Sequence, residues 1–288
     1  MRPFLGGLAA LLAIVCSVEA QLPWQLLNFL PPAGRIPPSL VTECSGLVQS
    51  LRYPGVYWAL GDSGSSASVA PVLADGRLAP GWSGRVKIEG TKNYDWEDIA
   101  LDGKGNLIIA DVGNNLGQRG QIMLHFVPEP KPGSIAIRPT RTLQVYYEDQ
   151  KEITSDYDCE AVFYIDDRIF FLTKHHNNRF TMLYRLDGES TRRSNPLRRV
   201  GSFDIGGMVT AADASPDGKL VAVLTYTAVW IFDYDARAGT IFGRSARRLP
   251  IFAWQAEALA FDGNNSLVLA NESGQMFRVA VSDFQIVK

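Results

Sequence analysis

The chain has 288 residues, 46% hydrophobic and 20% charged, with 28 Lys and Arg against 30 Asp and Glu, for a net charge of −2. That balance offers no basic face to a nucleic acid. No stretch beyond the N-terminal leader is long and apolar enough to span a bilayer.

The chain opens "MRPFLGGLAALLAIVCSVEA". Arg2, the apolar run Phe4 to Val15 and the small residues before Gln21 read as a secretory signal peptide, residues 1–20, cleaved after Ala20. The expected location is secreted or periplasmic. Residues 21–39 carry "PPAGRIPP" and form a proline-rich segment, with the folded domain over 40–288.

From residue 44 the sequence repeats. "WEDIALDGKGNLIIAD" lies over "AEALAFDGNNSLVLAN", so Glu97 falls on Glu257, Asp102-Gly103 on Asp262-Gly263 and Asp111 on Asn271. "CEAVFYIDDRIFFLTK" and "AADASPDGKLVAVLTY" fit the same frame with the same 14-residue step, and "CSGLVQSLRYPGVYWALGD" fits it with a stretched turn. Each copy reads as an apolar strand, an Asp-Gly type turn and a returning strand. Two further strand-like runs follow each hairpin, after Asp111 for instance "QIMLHFVPEP" and "TLQVYYED". Four strands per repeat predict an all-β, five-bladed β-propeller with four-stranded antiparallel blades. The alternative of six blades would place one in residues 21–42, which are too rich in proline. The final runs "MFRVAVS" and "FQIVK" make the last blade complete in itself, so closure falls to blade packing or to an N-terminal strand near Leu40–Val41. Predicted buried positions are Trp96, Ile99, Leu107, Ile109, Val162, Phe170, Leu220, Val223, Leu259 and Leu267. Cys44 and Cys159 precede the first strands of non-adjacent blades and are expected to be free thiols.

The start of a blade's first strand lies beside the end of its second, at one end of the central channel. That mouth should gather Ser45, Glu97, Glu160, Ala212 and Glu257, with Asp98 and Asp213 one step on. The strand-two set is Asp62, Asp111, Lys174, Tyr226 and Asn271. Carboxylates so close raise one another's pKa or recruit a cation, and oxygen donors suit Ca²⁺ or Mg²⁺. The expected metal ligands are therefore Glu97, Asp111, Glu160, Glu257 and Asn271, holding a divalent cation, Ca²⁺ foremost. Asp62, Asp98, Asn115, Arg119, Lys174, Asp213 and Tyr226 are expected to bind ligand. The competing reading is that the acids hydrogen-bond backbone amides of neighbouring blades. Arg119 clamps an anion or, preferred, pairs with Asp111. His175 is a candidate general base. Its neighbour His176 points to the opposite face, so the two do not share a metal. Ser63 in "GDSGSS" lacks a nucleophile-elbow pattern. Asn264 and Asn271 head sequons, and a glycan on Asn271 would sit awkwardly inside the mouth.

The motifs "SGLVQS…PGVYWALGDSG", "DWEDIAL…IADVGNN…R…VPEP", "DCEAVF…TKHH" and "VTAADASPDGKLVAVLTY" resemble a family of exported, mainly bacterial β-propeller proteins without an assigned activity. The resemblance covers residues 40–232. That family usually has a second Asp where this chain has Asn114, which removes one potential ligand. More distantly, the chain is similar to gluconolactonase-type, phytase-like and strictosidine-synthase-type propellers. The gluconolactonase type implies a channel-mouth cation held by Glu97, Asp111, Glu257 and Asn271, and transfers no catalytic residue.

Three functions fit the sequence: an exported binding propeller taking a small-molecule or protein ligand at its mouth, a cation-dependent hydrolase of a lactone or phosphate ester, and a purely structural scaffold. The few basic residues near the mouth, Lys174 and Arg119, weigh against phosphate chemistry. A monomer is expected.

Overall fold

The computed structural model describes residues 28–176 and 178–287. The signal peptide over 1–20 lies outside the described residues. Among those described there is no α-helix, and none therefore long and apolar enough to cross a membrane.

The strands in chain order begin with two short ones, β1 (Asn28–Phe29) and β2 (Gly34–Arg35). A first antiparallel unit holds β3 (Cys44–Gln49), β4 (Val56–Gly61), β5 (Ser68–Leu73) and β6 (Val86–Ile88). The second holds β7 (Trp96–Leu101), β8 (Asn106–Asp111), β9 (Ile122–Pro128) and β11 (Arg141–Tyr147). Between its last two strands β10 (Ala136–Ile137) crosses over to pair with β6. The third unit is β12 (Cys159–Ile165), β13 (Arg168–Thr173), β14 (Phe180–Leu186) and β15 (Asn195–Asp204). The fourth is β16 (Val209–Ala214), β17 (Leu220–Thr225), β18 (Ala228–Asp233) and β19 (Ala246–Phe252). Then come β20 (Ala256–Asp262), β21 (Ser266–Asn271), β22 (Gln275–Ala280) and β23 (Gln285–Ile286).

The hairpins form for the reason the turns announce. Asp102 Oδ1 accepts the amides of Lys104 and Asn106 at 2.9 and 2.8 Å, and Gly105 takes φ +81°, which a side chain would resist. Inner strands are buried on both faces, so they read as continuous apolar runs; β8 buries every residue after Asn106.

A separate apolar core fills each seam between neighbouring units. Trp58 packs with Ile109, Phe126 with Phe171, Phe163 with Val223, Ile231 with Leu259, and Leu47 with Val268. The last of these joins the end of the chain to its beginning, and the innermost strands meet in the order β3, β7, β12, β16, β20 and back to β3. This is an all-β propeller fold. Nine of the ten positions expected in the core are buried, while Leu220 is half-buried at the rim of its cluster.

The last unit is not complete in itself. Residues 284–287 turn away, and β23 pairs with β19 of the fourth unit. The missing outer strand comes from β2, with Gly34 opposite Met276 and Arg35 opposite Gln275. The closing strand thus precedes Leu40–Val41 and comes from the proline-rich segment itself. Pro31, Pro32, Pro37 and Pro38 flank it and confine it to a short edge strand. Ile36, fully buried, anchors it. Cys44 and Cys159 are free and lie in different seams.

Candidate functional site

All five inner hairpins carry a β-bulge at the same place. The register shifts fall between Cys44 and Gly46, Trp96 and Asp98, Cys159 and Ala161, Val209 and Ala211, and Ala256 and Ala258. The inserted residues are Ser45, Glu97, Glu160, Thr210 and Glu257, and a bulge re-aims its extra side chain. Two of them hold the next unit: Ser45 Oγ donates to Trp96 O at 3.0 Å and Thr210 Oγ1 to Ala256 O at 2.9 Å. The other three are the glutamates read from the sequence. Ala212, expected in this set, lies two residues deeper, because the hairpin loop 215–219 is longer than loops 166–167 and 263–265.

The strand-two set divides in the same way. Asp111 and Asn271 are the last residues of their strands, opposite Trp96 and Ala256, whereas Asp62, Lys174 and Tyr226 stand one residue beyond theirs. A one-residue slip turns a side chain to the other face. Asn271 therefore serves the turn after its strand: its Oδ1 accepts Gln275 N and Ser273 Oγ, each at 2.9 Å, and its Nδ2 donates to Gln275 Oε1 at 3.1 Å. It is buried, and both its side-chain oxygen and nitrogen are engaged in that turn. Asp111 receives Arg119 Nη2 at 2.6 Å and Asp95 N at 3.2 Å, which bears out the pairing preferred for Arg119. The true counterparts of Asp62, Lys174 and Tyr226 are Val112 and Glu272. Glu272 was missed.

Asp98 and Asp213 are staples rather than ligand contacts. Asp98 is fully buried, and its Oδ2 accepts Val162 N at 2.9 Å and Ala212 N at 3.3 Å, joining the second unit to the third and fourth. Asp213 Oδ2 accepts Phe261 N at 2.8 Å, joining the fourth to the fifth. Asp213 also lines a 230 Å³ cavity with Asp102 and Asp166, at the opposite end of the channel from the glutamates.

The structure draws three carboxylates together at the mouth, those of Asp62, Asp95 and Glu97, with one oxygen from each within 4.8 Å of the others. Asn93 builds the arrangement. Its Nδ2 donates to Gly61 O and Asp62 O, both at 2.9 Å, and its Oδ1 accepts Trp96 N at 3.0 Å. Asp95 O accepts the amides of Val112 and Gly113 at 3.1 and 3.2 Å. Gly113 lies against the acids so closely that an added Cβ would stand 2.1 Å from Glu97 Oε1 and 2.6 Å from Asp95 Oδ2. Glu97 is buried and its Oε1 has no hydrogen-bond partner. Burial, then Glu160 and Asp62, push its carboxyl well above the usual range. Burial raises Asp62 to about 6 and also raises Asp95, against the opposing pull of Arg119. An unpartnered, desolvated carboxylate oxygen facing two more acids is costly unless a proton or a cation meets it. Asp95 stands in "NYDWED" beside the sequence's acidic stretch; its place in the loop before the strand concealed it.

The remaining mouth residues satisfy one another. Lys174 Nζ meets Glu160 Oε1 at 2.9 Å and lies 5.6 Å from the Tyr226 ring; burial opposes its charge, but Glu160, Tyr226 and Glu257 outweigh that and raise its pKa. Asn115 Nδ2 reaches Glu160 Oε1 at 3.4 Å. Tyr226 Oη donates to Glu257 Oε1 at 2.7 Å, and Glu272 is raised by burial and by the neighbouring Glu257 to about 8. Glu160 and Glu257 are thus held by Lys174 and Tyr226. His175 has φ +52° and a pKa lowered by burial; its Nδ1 lies 3.0 Å from Asn178 Nδ2, and it does not belong to the acid group. His176 Nε2 instead meets Asp158 Oδ2 at 2.7 Å.

No family model matches the sequence, and no curated protein does. Solved structures resemble it in fold. The chain is similar to the PQQ-bound aldose sugar dehydrogenase of Streptomyces coelicolor at 10% identity and a TM-score of 0.46, covering 87% of this chain and 96% of that one. It is similar to the WD40 repeats of RRP9 at 11% identity and a TM-score of 0.44, covering 84% and 67%. It also matches a chain of the mitotic checkpoint complex at 14% identity and a TM-score of 0.41, covering 82% of this chain but only 63% of that chain's length. At such identities the likeness concerns the propeller fold alone.

Proposed function

We propose that this is an exported binding propeller that holds a divalent cation, Ca²⁺ foremost, through Asp62, Asp95 and Glu97, and presents it to a ligand at the channel mouth. The observation that carries the reading is the buried carboxylate of Glu97, whose Oε1 has no hydrogen-bond partner and which has an oxygen within 4.8 Å of one from each of Asp62 and Asp95. The donors are all oxygens, which is the chemistry of Ca²⁺ and Mg²⁺. Ca²⁺ takes about 6–8 oxygen ligands, so three carboxylates leave positions for water or for oxygens of a small-molecule or protein ligand. This set differs from the one expected from the sequence: Glu97 stays, Asp62 and Asp95 join it, and Asp111, Glu160, Glu257 and Asn271 have other partners. A hydrolytic reading asks for a base beside the cation, and His175 does not belong to the acid group.

The test is a thermal melt after EDTA treatment, titrated with Ca²⁺, Mg²⁺ and Mn²⁺. A cation at 100 times its Kd adds about 2.7 kcal/mol, and Glu97→Gln should abolish that rise while keeping the fold. An unchanged melting temperature with all three ions would sink the proposal.

A further inference from the structure

A 780 Å³ groove runs along the first unit beside the loop in which Asn93 ties Asp62 to Asp95, lined by Gly64 to Ser68, Arg85, Lys87 and Thr91 to Tyr94. Every ionisable group on its walls other than Tyr94 is a cation, in a chain whose net charge is −2. Glu89 nearby is taken by Arg138 at 3.2 Å, whereas Arg85, Lys87 and Lys92 face no carboxylate within ion-pair distance among the described residues. All three are exposed. Arg85 stands immediately before β6 and Lys87 lies within it, and both line the groove. Lys87 is fixed between Ser68 and Ala136 by the pairing of β6 with both neighbours.

Hydroxyls line the groove beside these cations. Ser66 Oγ and Ser68 Oγ are 3.0 Å apart, and Thr91 anchors its loop by donating to Ile88 O at 3.2 Å. At the rim Tyr94 is 62% exposed, with Lys92 Nζ 4.7 Å from its ring centre. An exposed tyrosine offers a flat apolar face with a polar tip.

We propose that this groove binds an acidic oligosaccharide, a sugar chain carrying carboxylate or sulfate groups. Arg85 meets an oxyanion through paired N–H donors, and Lys87 and Lys92 supply point charges for further anionic groups. Ser66, Ser68 and Thr91 face sugar hydroxyls, and Tyr94 packs on a ring. A protein partner fits less well, because the lining lacks the large apolar anchors that carry such interfaces. A nucleic acid fits less well too, because tight binders neutralise more phosphates than three cations reach.

The experiment is isothermal titration of the whole protein in EDTA at low salt, so that its outcome does not depend on a cation at the mouth. The probes are a chondroitin sulfate tetrasaccharide, a tetragalacturonate, neutral cellotetraose and an eight-residue thymidine oligonucleotide. At least one acidic sugar should bind; binding of tetragalacturonate shows that carboxylates suffice, and binding of the chondroitin sulfate alone shows that sulfate is needed. Arg85→Ala combined with Lys87→Ala should weaken that binding at least tenfold, and Tyr94→Ala at least threefold, with melting temperatures unchanged because all three side chains are exposed. Failure of both acidic sugars to bind, equal binding of cellotetraose, tighter binding of the oligonucleotide, or full affinity in the double variant would each overturn the proposal.

Discussion

Asp98→Ala tests whether the propeller is fastened at its centre. The Asp98 carboxylate accepts Ile99 N at 2.8 Å within its own strand, and Val162 N at 2.9 Å and Ala212 N at 3.3 Å from two other units. Truncation orphans all three amides. Each buried donor left unpaired costs about 1–3 kcal/mol, so the two inter-unit donors alone set the loss at about 2–6 kcal/mol. Truncation also relieves a carboxyl that burial has pushed well above its usual pKa range, with the amides opposing. The expected value therefore lies in the lower half, about 2–4 kcal/mol, a large share of a typical total stability of roughly 5–15 kcal/mol. Asp98→Asn retains one acceptor oxygen and should lose about half as much. Urea denaturation followed by tryptophan fluorescence at neutral pH measures both, and an unchanged slope with denaturant keeps the comparison valid. A loss below about 1 kcal/mol for Asp98→Ala, within the range of ordinary surface changes, would refute the staple. So would an Asn variant no better than the Ala variant.

Four further outcomes follow from the same geometry. Folded-state carboxyls raised from 3.8 to about 6 at Asp62 and from 4.5 to about 8 at Glu272 keep protons that the unfolded chain releases, so stability in EDTA should fall as pH rises through that window. Melting temperatures that climb from pH 4.5 to 8 would contradict this. Gly113→Ala places a Cβ 2.1 Å from Glu97 Oε1 and should erase any Ca²⁺-dependent rise in melting temperature, so an intact Ca²⁺ response would refute the cradle. Ile36→Ala should cost about 2–5 kcal/mol in a denaturant melt, because Ile36 is fully buried beside the strand that completes the last unit; a surface-like cost would mean the ring closes without it. Cys44 and Cys159 are buried, and burial raises the Cys44 thiol to about 12 and also raises Cys159. Both should react with a thiol reagent only as the protein unfolds, and rapid labelling of the native protein would contradict their placement.

Apolar runs and Asp-Gly turns are local, so the sequence by itself determined the strands, the repeating hairpins and the propeller class they build. It also placed Glu97, Glu160 and Glu257 at equivalent positions and paired Arg119 with Asp111, because these follow from repeat phase and from an eight-residue separation. The tertiary structure alone decided the phase of the opposite strand. Hairpin loops 50–55, 102–105 and 215–219 differ in length, and each bulge adds one residue that leaves no trace in the apolar pattern. With a side-chain period of two, a one-residue error exchanges Glu272 for Asn271 and turns a mouth position into a turn-forming one. Asp98 and Asp213 look like site acids in sequence, and only the amides of Val162, Ala212 and Phe261, brought in from other units, reveal them as staples. The acid triad needs Asn93 to tie the loop of Asp62 to that of Asp95, and ring closure sets Gly34 opposite Met276. Contacts between residues so far apart along the chain follow from packing, to which no local pattern of residues responds.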